Sequence, residues 1–237
     1  FDDSQWTELE AQADELSTTF DLVWLPQSGN CGGQSMGYDD LYWFSNYNSS
    51  FGNEQQLRSL ISTFKQKGIK TIADVVINHR KNVSNWVDFP KETYKGVTYE
   101  MKSTDICAND DGGKTKTWAT QNGYSLSSNT DTGEGWDGMR DIDHKSENVQ
   151  TIVKAYLDML LNDLGYAGFR YDMVKGYSPS YTGLYNATAQ PEFSVGECWD
   201  GTTVIKNWIE GTKVDGQIQS AAFDFQFRYT VRNAMNR

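Results

Sequence analysis

The stretch SENVQTIVKAYLDMLLNDLGYAGFRYDM, residues Ser146 to Met173, decides the fold. From Ser146 to Gly165 the apolar residues Val149, Ile152, Val153, Tyr156, Leu157, Leu160 and Leu161 recur at three- and four-residue intervals, which places them on one face of a helix. The helix leads directly into Ala167–Met173, AGFRYDM, a short run rich in aromatic and apolar residues that reads as a strand buried on both faces. The same alternation extends outward. FDLVWLP (residues 20–26) and KTIADVVIN (70–78) read as buried strands, FSVGEC (193–198) and SAAFDF (220–225) as two more, and a helix runs from a cap at Asn53 through Leu57, Leu60, Ile61 and Phe64 to a stop at Gly68. Strand, helix, strand in strict order predicts an α/β protein whose parallel strands are joined by right-handed crossovers.

Between His79 and Lys145 this order gives way to a polar stretch rich in Gly, Asn, Asp, Ser and Thr. It is too long for a structureless connection inside a compact domain, so it reads as an inserted subdomain. The expected layout is therefore residues 1–78, an insertion over 79–145, and residues 146–237. What remains outside the insertion suits five or six units of a (β/α)8 TIM barrel, incomplete here. A five-stranded doubly wound sheet is the alternative, and periodicity alone does not separate the two.

A net charge of -11 argues against a nucleic-acid partner, because an acidic surface repels phosphate. Cys31, Cys107 and Cys198 are widely spaced, with no CxxC pair, which excludes a zinc knuckle or a disulfide framework and leaves room for one disulfide at most. No run of residues is apolar for long enough to span a membrane.

The chemistry gathers at strand ends. In GFRYD, Arg170 and Asp172 share parity and point to one side, so the cation holds the carboxylate ionised and oriented, as a nucleophile requires. Glu197 closes FSVGE in the same way, between Gly196 and Cys198-Trp199, in surroundings that should push its pKa away from that of Asp172 and make it the proton carrier. Two acids at the C-terminal ends of different parallel strands of a barrel face one cavity. A carboxylate pair so placed is what a retaining glycosidase uses.

DVVINH (Asp74 to His79), GFRYDMVKGY (Gly168 to Tyr177) and GECWD (Gly196 to Asp200) resemble, in order and spacing, three conserved regions of the α-amylases of glycoside hydrolase family 13. The insertion follows DVVINH, where that family places its domain B after the third family strand. KGYSP, and DTG followed by DIDH, are most similar to plant-type and related bacterial members. The resemblance implies endo-hydrolysis of α-1,4-glucan with Asp172 as nucleophile, Glu197 as acid/base and Arg170 orienting the nucleophile. It further implies that His79 hydrogen-bonds the sugar being cleaved, that Tyr38 in MGYDDLY stacks on it, and that Lys175 and Trp199 line the next sugar. A structural Ca²⁺ is implied between barrel and insertion, with side-chain oxygens from Asn78, Asp131 and Asp141 and carbonyls near Glu134 and from Gly176. Asp105, Asp110 and Asp111 are candidates for further ions. The partner expected is starch or a maltooligosaccharide, met by a secreted or periplasmic monomer.

The sequence departs from the family pattern in one respect. Its two histidines are His79 and His144, the latter in the calcium region, so no residue matches the family's fourth, His-Asp region. The 237 residues by themselves are therefore expected to be nearly inactive. A transglycosylase or debranching enzyme of the same family, and a non-catalytic glucan-binding relative, are the competing readings.

Overall fold

A computed structural model describes residues 4–236; residues 1–3 and 237, at the outer ends of the first and last segments, lie outside the described residues. The strands are β1 (Leu22–Leu25), β2 (Lys70–Val75), β3 (His79–Arg80), β4 (Glu92–Tyr94), β5 (Val97–Tyr99), β6 (Arg140–Asp141), β7 (Gly168–Tyr171), β8 (Phe193–Gly196) and β9 (Ala221–Ala222). The α-helices are α1 (Trp6–Ala11), α2 (Ala13–Leu16), α3 (Glu54–Gln66), α4 (Lys114–Gln121), α5 (Glu147–Met159), α6 (Pro179–Ala189), α7 (Thr202–Gly211) and α8 (Phe225–Met235).

One five-stranded sheet runs in the order β1-β2-β7-β8-β9, every pair parallel. Spatial order follows chain order without reversal. A doubly wound sheet turns back at a switch point, whereas a barrel progresses steadily in one direction, so the sheet is part of an incomplete (β/α)8 barrel. Two helices set the strand positions. Asn53 and Gln56 form a reciprocal capping box on α3, which buries Leu57, Leu60, Ile61 and Phe64. The Ser146 side chain caps α5 at Val149 N, and past a final widened turn Gly165 takes φ 92°, a left-handed geometry that costs glycine little.

β2 and β7 are buried throughout except for Lys70, but β1 alternates. Val23 and Leu25 pack under the helices, while Leu22 and Trp24 are 39% and 42% exposed on the other face. The expectation of burial on both faces fails for β1 because it is an edge of the arc. β9 is shorter than the SAAFDF run suggests. Asp224 leaves the strand to accept from Phe227 N at 2.8 Å, so Phe225 opens α8 instead of extending the sheet. In the same way Ser178 and Pro179, in the KGYSP run, form the cap and first position of α6.

The stretch 79–145 carries the β3/β6 antiparallel pair, the β4/β5 hairpin, α4 and short 3₁₀ turns. Glu92 fastens it to the segment before α3. Its carboxylate accepts from the backbone of Trp43, Phe44 and Ser45 and pairs with buried Arg80 at 3.0 Å. The Arg80 guanidinium lies 4.2 Å from the Trp43 ring.

Candidate active site

Register brings the acids together. Asp74 in β2 lies beside Arg170 in β7, and Tyr171 lies beside Gly196 in β8, so Asp172 and Glu197 each follow the last residue of adjacent strands. Arg170 holds all three carboxylates: Nη1 donates to Asp74 Oδ1 at 2.8 Å and to Asp172 Oδ1 at 2.7 Å, and Nη2 pairs with Glu197 Oε2 at 2.9 Å. Met173 then adopts a left-handed backbone (φ 42°, ψ 50°), and its N–H donates to Glu197 Oε2 at 3.2 Å. Gly196 has no room for a Cβ, which would run into the Trp208 ring of α7; this close approach packs the strand end that carries Glu197.

Three carboxylates share one guanidinium, so the cluster cannot ionise fully at low cost. Burial and then the neighbouring Asp172 push Asp74 up to about 7 against the pull of Arg170. Glu197 is likewise raised, by burial first and by Asp172, although Arg170 opposes the shift. Burial draws Arg170 down, but its three carboxylates outweigh that and hold it above its ordinary value. In Asp172, Oδ1 is bonded to Arg170, whereas Oδ2 is buried and has no hydrogen-bond partner.

Beside the cluster lies a cavity of about 330 Å³ walled by Trp24, Arg170, Glu197, Trp199, Phe223, Asp224, Phe225 and Arg228. Trp199 is 49% exposed, stacks on Phe225 at 4.5 Å and donates to Tyr229 Oη at 3.0 Å. Lys175 reaches Asp200 at 3.1 Å and Glu134 at 3.2 Å, and these two acids raise its pKa against partial burial. The Tyr38 ring centroid is 5.8 Å from the Arg170 guanidinium. His79 is fully buried, with Nε2 2.8 Å from the Tyr38 carbonyl and Nδ1 3.3 Å from Asn78 Nδ2, and burial lowers its pKa.

Two residues absent from the sequence-based site belong to this cluster. Asp74 opens the DVVINH run, and an acid inside an otherwise apolar strand is the signal that could have found it. Trp136 covers the far side: its ring lies 6.3 Å from Tyr38 at 19° and 5.4 Å from His79, and it is 44% exposed. Nothing in the GEGWDG run marks it out.

The residues named for calcium converge in part. Asn78 Oδ1 and Asp141 Oδ1 are buried without partners. A Cβ on Gly176 would collide with Asn78 Oδ1 and come within 2.6 Å of the Glu134 carbonyl, and one on Gly135 would lie 2.7 Å from Asp141 Oδ2. Asp131 stands at the margin, with Oδ1 accepting from Gly133 N and Asn109 Nδ2 and Oδ2 from Cys107 Sγ. Burial and then Asp131 raise Asp141 to about 7. This set of hard oxygens, two of them orphaned, fits Ca²⁺. Among the described residues no three His, Cys, Asp or Glu side chains group as a metal site, because the cradle mixes amide and carbonyl oxygens with its acids. Asp105 and Asp110 are filled by protein donors: Asp105 by Ser146, Asn148 and Lys102 N, Asp110 by Thr115, Arg140 and Asp141 N. Asp111 meets Lys114 at 3.7 Å. The three cysteines are buried and free.

A partial parallel barrel with paired acids on adjacent strand ends defines a barrel of the glycosidase type. Residues 20–192 match the α-amylase catalytic-domain family, and the chain belongs to that family. It is 30% identical over 97% of its length to the probable alpha-amylase 2 of Arabidopsis thaliana, and spans 55% of that protein. It is also 30% identical, over 82% of its length, to the chloroplastic alpha-amylase 3 of the same plant, covering 20% of it. Among solved structures, the α-amylase of Geobacillus thermoleovorans in complex with acarbose superposes with a TM-score of 0.68 at 18% identity, over 97% of this chain and 47% of that one. The chain thus spans about half the length of the first of these relatives or less.

Proposed function

We propose that the protein is a retaining α-amylase-type glycoside hydrolase that cleaves internal α-1,4-glucosidic bonds of starch and related glucans. One observation carries this reading: a single guanidinium grips Asp172 and Glu197, Glu197 lines an aromatic-rich cavity, and Asp172 Oδ2 accepts no hydrogen bond. In the first step Asp172 Oδ2 attacks the anomeric carbon, the glycosidic C–O bond breaks, and Glu197 gives its proton to the leaving oxygen. In the second, Glu197 takes a proton from water, the water oxygen bonds to the same carbon, and the bond to Asp172 breaks. Arg170 orients Asp172 through its Oδ1, and burial beside Asp172 raises the pKa of Glu197, the direction a proton donor needs.

Tyr38 stacks on the sugar being cleaved and His79 hydrogen-bonds it, while Trp199 and Lys175 line the sugar on the leaving side. The aromatic walls of the cavity also suit a sugar acceptor in place of water, which favours transglycosylation as the second reading; product analysis on amylose separates the two. Asn78, Asp141 and the Glu134 and Gly176 carbonyls would hold Ca²⁺, with Asp131 completing the set, and the ion would supply the positive charge that ties the inserted stretch to the barrel. A secreted or periplasmic location, and a full-length protein that is a monomer, go with this reading. Among the described residues no helix is long and apolar enough to cross a membrane.

Covalent trapping reports the first chemical step without requiring turnover. The assignment is therefore tested by trapping. Glu197→Gln is incubated with α-maltotriosyl fluoride, whose fluoride departs without a proton. A maltotriosyl mass increase is expected on the peptide containing Asp172. An adduct on any other acid, or none in a protein that binds acarbose, overturns the assignment.

A further inference from the structure

Outside the cleft, three aromatic rings form a row on the inserted stretch. Trp86 and Trp118 are nearly parallel at 15° with centroids 6.3 Å apart, and Trp118 and Tyr124 are again at 15° and 5.9 Å. Trp86 is 38% and Tyr124 43% exposed, with Trp118 half-buried between them. None of the three lines the cavity beside Glu197.

Each ring is held by a different local device. Trp86 rides on a turn in which the Asp88 carboxylate accepts from the backbone of Val83, Ser84 and Asn85. Trp118 is fixed on α4, and Tyr124 follows the end of that helix, where its N–H donates to the Ala119 carbonyl at 2.8 Å. Beneath Trp86, the buried guanidinium of Arg140 lies 4.9 Å from the ring and is itself anchored by Asp110 at 2.8 Å. Arg140 sits in β6 opposite Arg80, and its neighbour Asp141 pairs with His79, so the row is tied to the cleft through one short antiparallel pair. Rigid exposed rings bind at low entropic cost, and a protein core gains little by leaving them in water.

The occupant follows from shape and charge. A stepped hydrocarbon surface complements the C–H faces of sugar rings, and the rim combines uncharged Asn85, Gln121 and Asn122 with the Asp88 carboxylate, which suits hydroxyls and repels phosphate. We infer that Trp86, Trp118 and Tyr124 form an accessory platform that binds an α-glucan chain outside the catalytic cleft. The choice of ligand rests on the glucan reading above.

Electrophoresis through gels containing amylopectin tests the platform. The chain is expected to be retarded, and Trp86→Ala combined with Tyr124→Ala to raise the apparent dissociation constant about tenfold. Because Trp118 also packs against the core, Trp118→Phe is the second variant, with a smaller loss and an unchanged melting temperature. Acarbose binding at the cleft stays as in the parent. Unaltered retardation in the folded double variant overturns the platform, as does an effect confined to self-association in ultracentrifugation. Retardation lost with the rings while no Asp172 adduct ever forms leaves the platform standing and removes the hydrolase reading; the converse result does the opposite.

Discussion

The molecule treats its buried acids in two ways. On the inserted stretch Glu92, Asp105, Asp110 and Asp143 have both oxygens occupied by backbone N–H groups, hydroxyls, amides or arginines. At the strand ends and the calcium cradle, Asp172 Oδ2, Asp141 Oδ1 and Asn78 Oδ1 are just as buried and have no partner. Leaving a buried acceptor unmet costs about 1–3 kcal/mol, so a fold tolerates it where something else is to be met there. Satisfied acids hold the structure; on the reading proposed above Asp172 Oδ2 meets a sugar carbon and the Asn78–Asp141 pair a cation, whereas Asp40 Oδ1 is buried and unmet beside Trp43 with no such ligand proposed.

Substitution should split the two groups. In the Glu197→Gln background, where the adduct accumulates, Asp172→Asn is expected to remove it, a loss of about 10⁴-fold or more, because an amide cannot supply the carboxylate that forms the ester. Its melting temperature should hold or rise, since one of three crowded carboxylates is neutralised. Glu92→Ala should do the reverse. It strands Arg80 and three backbone N–H groups, at about 3–5 kcal/mol by thermal or urea unfolding, while any folded fraction still forms the adduct. A catalytic collapse in folded Glu92→Ala, or an unfolded Asp172→Asn, would erase the distinction.

Calcium probes the second pair of orphaned atoms. If Asn78 and Asp141 await a cation, Ca²⁺ at a hundredfold excess over its dissociation constant stabilises the fold by about 2.7 kcal/mol. Calorimetry with and without chelator checks this, and Asp141→Asn should abolish most of the gain. The same ion added to Asp105→Asn should stabilise that variant as fully as the parent, because Asp105 is filled by protein donors.

The strand-end acids also set a pH dependence. Asp74 titrates at about 7 in the folded chain against about 3.9 when unfolded, so between those values the native state keeps a proton that the unfolded state has lost. Stability therefore falls as pH rises through that window, and the raised Glu197 adds in the same direction. Asp74→Asn should flatten the slope of melting temperature against pH. An unchanged slope would mean that the crowding around Arg170 is not felt.

The strand-end half of this contrast was legible in the sequence and the other half was not. Parity within GFRYD puts Arg170 and Asp172 on one side whatever surrounds them, and the helix 146–165 fixes which end of the strand is C-terminal. The doubly wound alternative needed spatial strand order to dismiss it. Whether an acid is satisfied depends on donors far away in sequence: Glu92 and Trp43 N, or Asp105 and Ser146, meet only on folding. Asp105 and Asp110 therefore looked like ligands for further ions as readily as Asp141 did. Exposure of Trp24 was equally hidden, since a strand's own pattern does not say that it forms an edge.

Trp136 offers the finest test, because its ring lies between the two groups. It follows Glu134 and Gly135, whose backbone borders the calcium cradle, and it lies against Tyr38 and His79. His79 is fully buried with Trp136 packed on it, so a sugar reaches the imidazole only if that ring forms part of the sugar's wall or swings aside. As a wall, Trp136→Ala removes a stacking surface and weakens acarbose binding about five- to tenfold, in line with about 1 kcal/mol for an aromatic contact, and Trp136→Phe restores most of it. As a cover, its loss exposes His79 and tightens binding. Calorimetric titration reads the sign directly, and chelating calcium should shift affinity in the same direction as Trp136→Ala, since both loosen the loop that carries the ring.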